Sequence, residues 1–214
     1  MIGTDLSPIQ PSWVPPNCQF VHDDAEADWT WPEDHFSFVH LRNLEACIAD
    51  WPALYRRAFR HTAPGGWLEV AEFDITPRSQ TLELDEQHPF RVWGDAMFLA
   101  ADKIGKTLRN WEDDGIKKGL EAAGFVDVVR KRYRVPVCGW SSDKRLAEIG
   151  MFVSLYLQSS IDGFALYLLN VVLGWQVEEM QVMVAKMRTL LNDPKNTAYF
   201  ELYVVYGRKP EAAS

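Results

Sequence analysis

Cysteine is scarce in this chain of 214 residues. Cys18, Cys47 and Cys138 are odd in number, far apart and form no CxxC pair, so neither a disulfide framework nor a zinc site is indicated. Basic charge is also short, with 22 Lys and Arg against 30 Asp and Glu for a net charge of −8. A surface that tracks phosphates needs clustered cations, so nucleic acid is not an expected partner. Long apolar runs are missing. The most apolar stretch, residues 164–173, is ten residues long, about half of what a membrane span needs. Residues 1–12 carry neither a basic start nor an apolar run, so no signal peptide is read there and a cytoplasmic protein is expected. No internal repeat or low-complexity tract is present.

What is there describes an ordinary globular chain. Apolar residues make up 47% and charged residues 24% of a 24.5 kDa protein, which suits one domain or one domain with a lid. A domain of this size buries roughly 70% of its unfolded surface without staples. Nine Trp, eleven Phe and seven Tyr are many; such rings fill cores and also line pockets for flat or apolar ligands.

Along the chain, apolar runs of strand length alternate with helical periodicity. Strands are expected at 2–4, ending at Asp5, then at 18–22, 36–41, 67–73, 126–137 and 199–206. Helices are expected at 50–62, capped by Asp50 with Pro52 in the first turn, and at 92–108 and 112–123. Three more are expected near the C-terminus: one capped by Ser142, one over 164–173 ended by Gly174, and one over 177–191 ended by Asn192-Asp193-Pro194. Pro64-Gly65-Gly66 reads as the stop of the 50–62 helix. The pattern is that of an α/β domain with helices on both sheet faces. In such sheets ligands sit at the carboxyl ends of strands, which directs attention to Asp5, Asp23, Asp24, the segment 40–43 and the segment 72–74.

Those strand ends carry a resemblance. Ile2-Gly-Thr-Asp-Leu-Ser-Pro8, Asp23-Asp-Ala-Glu26, Phe36-Ser-Phe-Val-His-Leu-Arg-Asn43, Asp50-Trp-Pro52 and Pro64-Gly-Gly-Trp-Leu-Glu-Val-Ala-Glu-Phe-Asp74 resemble the fungal LaeA-like methyltransferases, class I enzymes that use S-adenosylmethionine. Later pieces, such as Gly139-Trp140, Gly174-Trp175 and Gly207-Arg-Lys-Pro210, fit the same family. The resemblance implies a truncated Rossmann-like class I methyltransferase fold with a C-terminal helical lid. It divides the chain into a core at 1–138, a lid and substrate-binding insert at 139–194, and a final strand and tail at 195–214. It also implies that Asp5 accepts the two ribose hydroxyls of the cofactor and that Asp24 and Ala25 touch its adenine.

The chain departs from the family in two places. Ser37 stands where the family usually has Asp. No glycine-rich turn of the GxGxG kind occurs anywhere in the chain, and the family's central strand, which carries that turn, would lie upstream of Ile2. A fragment without that strand would expose sheet edges. The chain begins with its own Met1, and it is therefore expected to be a complete, repurposed protein in which Asp5, Asp24 and Ala25 are vestigial and no cofactor is used. The Ile2 and Phe36 strands must then pair with each other or be covered by a second chain, which leads to a homodimer as the expected state.

Among five histidines, His40 ends a strand beside Arg42 and Asn43 and is the first candidate for a general base or hydrogen-bond donor. Glu72 and His88 follow as further catalytic candidates; His61, in the last turn of a helix, reads as structural. Neither a Ser-His-Asp order nor metal-ligand spacing stands out, so no metal is expected. The aromatic lid suits an apolar small-molecule substrate. The function expected from lost cofactor parts is cyclisation or rearrangement of that substrate, pericyclic steps included. The alternatives are an S-adenosylmethionine-dependent methyltransferase acting on a small molecule and a non-enzymatic LaeA-like regulatory binding protein. A closed, ligand-sized cavity would favour the first reading; exposed apolar lid helices would favour the last.

Overall fold

A computed structural model describes residues 1–193 and 195–212. Among the described residues, six strands form two separate sheets. Strands β1 (Ile2–Asp5) and β2 (Gln19–His22) pair in parallel with each other. Strands β3 (Phe36–Arg42), β4 (Thr62–Ser79), β5 (Val126–Pro136) and β6 (Ala198–Arg208) form a mixed sheet in the order β3-β4-β6-β5. β3 runs parallel to β4, while β6 lies antiparallel to both of its neighbours. Of the two arrangements open to the Ile2 and Phe36 strands, pairing with each other is absent among the described residues. β1 bonds only to β2 and β3 only to β4, so each keeps one open edge. At the other side of the sheet, β5 is an edge strand carrying Arg130, Lys131, Arg132 and Arg134. Cations there discourage pairing with another chain, which explains the imperfect alternation of that segment.

Helix α1 (Trp51–His61) begins where expected. Asp50 accepts the Ala53 N–H at 2.8 Å, and Pro52 occupies the first turn. Its end differs. The chain turns directly into β4 at Thr62, and Pro64-Gly65-Gly66 form a bulge inside that strand. Gly65 has φ +76°, which lets the chain bend without a break. β4 also runs past Phe73 to Ser79, with a second irregularity between Asp74 and Arg78. Buried ion pairing holds that extension: Asp74, fully buried, meets Arg78, and Arg78 reaches Glu201 on β6 at 3.8 Å.

Helix α3 (Gly115–Ala123) packs with α1 against one face of the four-stranded sheet. Val39, Leu41, Leu68, Val70, Tyr203 and Val205 supply the sheet side; Leu54, Tyr55, Ala58, Ile116 and Leu120 supply the helices. A Cβ on Gly119 would sit 2.5 Å from the Tyr55 ring, so glycine is what allows the two helices to approach.

The second core lies among α2 (Pro89–Lys103), α4 (Lys144–Phe164) and α5 (Val177–Leu191). It reaches the sheet only at one end, through Ile75, Ala198 and Phe200. The expectation of helices on both faces is thus met in part. Phe38 and His40 alternate with buried Val39 and Leu41, face away from α1, and are exposed. Two expected C-terminal helices are one. α4 is capped by Asp143, which accepts the Leu146 N–H at 3.0 Å, rather than by Ser142. It continues without a break through π-helical turns at Ala165–Val172 and ends at Gly174 with φ +77°. α4 and α5 form the lid of a Rossmann-like α/β core. The expected stop at Pro194, the lid boundary there and the last two residues of the tail lie outside the described residues.

Candidate functional site

The carboxyl ends of β1 to β4 gather one acidic region. The turn after β1 is held by Asp5, whose Oδ1 accepts the Ser7 N–H at 2.9 Å. The Asp5 carbonyl accepts the Asp23 N–H at 3.1 Å, which ties the β1 end to the β2 end. Asp23 Oδ1 accepts the Asp24 N–H, and Asp24 Oδ1 accepts the Glu26 N–H at 2.8 Å. Asp5 and Asp24 are exposed, and Oδ2 of each has no partner among the described residues. The Ala25 carbonyl accepts from Trp29 Nε1 and Arg57 Nη1, both at 3.2 Å, which pins this turn to α1. Glu26 accepts the Ala49 N–H at 2.8 Å and meets Lys106 Nζ at 3.5 Å.

The loop between β3 and α1 closes the region, and Glu72 organises it. Glu72 is fully buried at the middle of β4. Its carboxylate accepts the Leu44 N–H at 3.0–3.1 Å and the Glu45 N–H at 3.3 Å. These bonds hold a tight loop in which Asn43 (φ 53°) and Ala46 (φ 56°) take left-handed backbone. Glu45, which sequence reasoning missed, folds back against Glu72 with its Oε1 buried and unpartnered. Burial first, then the hydrogen bond and charge of Glu72, push the Glu45 carboxyl up to about 11. The Glu72 carboxyl is also pushed up by burial, but the two backbone N–H groups it accepts from favour the charged form. Glu45 therefore keeps its proton.

Cys47 lies in the same region. Partial burial pushes its thiol up, Lys106 pulls it down, and Glu72, Asp5 and Glu26 push it up again. A thiol so placed stays protonated and is a poor nucleophile. Tyr55 Oη accepts from Asn110 Nδ2 at 2.6 Å; burial pushes its hydroxyl up, and that bond pulls it partly back.

The three expected catalytic residues do not converge. His40 lies on the open face of the sheet, where Nδ1 is 3.1 Å from Glu69 Oε1 and the ring stacks on Phe38. Glu72 points to the opposite face, because residues 69 and 72 differ by an odd number along one strand. His88 caps α2, with Nδ1 accepting the Phe90 N–H at 3.2 Å. No hydrogen bond joins it to His40 or Glu72 among the described residues. His61 is structural as expected: it is buried, and its Nδ1 bonds the Pro32 carbonyl at 3.0 Å.

Beneath the lid, Ile75, Phe90, Trp93, Leu157, Ile161 and Phe164 line an apolar slot of about 40 Å³. Ligand sites usually run to roughly 300–1,000 Å³. A second hollow, of about 570 Å³ and lined by Trp111, Asp114 and Arg130 among others, is open and polar.

The profile of a methyltransferase domain matches residues 1–129, the part that contains these strand ends. The chain belongs to that methyltransferase family. Within it, methyltransferase pytC of Aspergillus terreus is 34% identical over 210 residues, covering 98% of this chain and 64% of its own length. Protein-methionine methyltransferase laeA of Emericella nidulans is 32% identical, covering 97% of this chain and 55% of its own length. The methyltransferase-fold chain is thus related to fungal regulators and methyltransferases of secondary metabolism, and it spans just over half to just under two thirds of their lengths. Among solved structures, Haemonchus contortus phosphoethanolamine N-methyltransferase 2 in complex with S-adenosyl-L-methionine aligns with a TM-score of 0.48 at 14% identity, covering 91% of this chain and 37% of that one.

Residues of this family's cofactor site can be tested against the geometry. Asp5 and Asp24 fit the ribosyl-adenine end of S-adenosylmethionine, since each offers an exposed carboxylate oxygen at a strand end that hydroxyl or amino hydrogens can reach. No described residue forms a glycine-rich cradle for the methionine end. The cofactor, when bound, supplies a methyl group from its sulfonium; the residues here account for holding only its other end.

Proposed function

We propose that the chain serves an S-adenosylmethionine-dependent methyltransferase acting on a small molecule, with residues 139–194 on the substrate side. The observation that carries this reading is the pair of exposed carboxylates, Asp5 and Asp24, held by their own turn hydrogen bonds at neighbouring parallel strand ends. Family membership supports it. The small slot beneath the lid weighs against cyclisation, which needs a chamber that folds the whole substrate. In this reading Asp5 binds and orients the ribose, Asp24 and Ala25 border the adenine, and Glu72 shapes the loop that walls the site.

Calorimetric titration with S-adenosylmethionine tests the proposal. Saturable binding is expected, weakened about 10- to 100-fold by Asp5→Ala through loss of charged hydrogen bonds. Absence of saturable binding, or equal affinity in Asp5→Ala, overturns it.

A further inference from the structure

Helix α4 and its π-helical continuation form one rod of 29 residues. One side packs into the second core through Ile161, Ala165 and Leu169. The other side carries Phe152, Leu155 and Tyr156 toward one end and Leu166, Tyr167 and Val171 toward the other, each 54–66% exposed. At that exposure six such side chains present on the order of 600 Å², the upper end of the largest patch on a typical monomer and near the roughly 800 Å² per partner of a standard interface. Met151, 66% exposed on the same side, extends the patch further.

The centre of this face is small. Ser159 and Gly163 stand one turn apart between the two apolar groups. A Cβ on Gly163 would meet nothing within 4 Å, so no contact within the chain requires a glycine there. Glycine in a helix interior costs about 1 kcal/mol relative to alanine. A second helix crossing at this point would use the space.

We propose that this face binds a second copy of the chain, with the two α4 rods antiparallel about a two-fold axis between Ser159 and Gly163. The proposal is independent of the methyltransferase reading. It also differs from the strand-edge argument for a dimer, because it uses a surface far along the sequence from both edges. The spacing is self-complementary, as a two-fold interface demands. When Ser159 meets the partner copy's Gly163 position, Tyr156 falls opposite the position of Leu166, Leu155 opposite that of Tyr167, and Met151 opposite that of Val171. The ends match in charge as well. Lys144 and Arg145 open α4, and Glu178 and Glu179 follow its far end in the first turn of α5. The antiparallel arrangement turns the basic end of one copy toward the acidic end of the other. A lipid surface fits less well. Asp162, Glu178 and Glu179 border the patch, whereas helices that lie on anionic membranes carry Lys and Arg there.

Sedimentation of the full chain from 1 to 100 µM tests the proposal. The expected species has twice the 24.5 kDa chain mass. Gly163→Leu improves helix propensity at a position where a Cβ meets nothing within 4 Å, so it is expected to keep the fold while filling the crossing; dissociation is expected to become at least 100-fold easier, with unchanged circular dichroism. Reversing the basic end with Lys144→Glu and Arg145→Glu is expected to weaken the dimer about threefold to tenfold. A monomer at 100 µM, a dimer indifferent to Gly163→Leu, or co-flotation of the wild-type chain with phosphatidylserine vesicles in place of self-association overturns the proposal.

Discussion

Glu69 and Glu72 stand three residues apart on β4 and have opposite fates. Glu69 faces the uncovered side of the sheet, is 31% exposed and pairs with a half-exposed His40. Glu72 faces α1, is fully buried and serves as acceptor for two loop N–H groups. The chemistry of the side chain is the same, so the difference comes from solvent. Water screens the Glu69–His40 pair and leaves it little net energy. Without water, Glu72 requires the backbone donors, and its neighbour Glu45 can stay buried only by keeping a proton. One face of a sheet can thus hold a solvated Glu–His contact while the other holds a buried carboxyl that keeps its proton.

Three measurements sharpen that contrast. The largest effect is expected at Glu72. Glu72→Ala strands the Leu44 and Glu45 N–H groups and releases the β3–α1 loop, for a loss of about 3 kcal/mol in urea unfolding. A loss below 1 kcal/mol would mean that water replaces the carboxylate and that the face is not dry.

Next comes Glu45. Its folded value of about 11 lies above the ordinary 4.5. The folded chain therefore holds a proton that the unfolded chain releases, and this group favours unfolding progressively as pH rises from about 4.5 toward 11. Below 4.5 both states are protonated and the penalty vanishes. Glu45→Gln copies the protonated side chain without the titration. It should raise the melting temperature by roughly 10 °C at pH 8 and by almost nothing at pH 4. Equal shifts at both pH values would remove the buried proton from the account.

The smallest effect on stability is expected at His40. His40→Ala removes one arm of an exposed pair and should change stability by less than about 0.5 kcal/mol. The same variant tests the proposed catalytic role, since loss of a donor that acts in the transition state slows turnover about 100-fold or more. Unchanged stability with slowed turnover would make the open face of the sheet a reaction surface. Unchanged turnover would leave it a solvated one.

Much of this was legible in the residues. Asp50 and Pro52 announced α1, Gly124 announced the end of α3, and the runs at 36–41 and 199–206 announced β3 and β6, because capping and alternation are local. The reach of β4 beyond Phe73 was not legible. Asp74 and Arg78 look like loop residues until Glu201 arrives from more than a hundred residues away. The break expected between α4 and its continuation failed for a similar reason: Ile161, Ala165 and Leu169 share a buried face with α2 and α5, and packing carried the helix past Gly163 in π-helical turns. Strand ends and family resemblance singled out Asp5 and Asp24, and both carboxylates stand exposed at the ends of β1 and β2. Glu45 was missed because nothing in a Leu-Glu-Ala sequence marks burial. The grouping of His40 with Glu72 failed because their strands were placed correctly while their faces were not compared.

The sequence by itself determined the order of strands and helices, the acidic strand ends and the family, since these rest on short-range pattern and on motifs a few residues long. Tertiary structure alone decided that β1 and β3 stay unpaired with each other, that one sheet face is dry and the other wet, and that Glu45 keeps its proton. Those properties depend on which distant segments exclude water from a given side chain, and that exclusion is settled only when the layers close over one another.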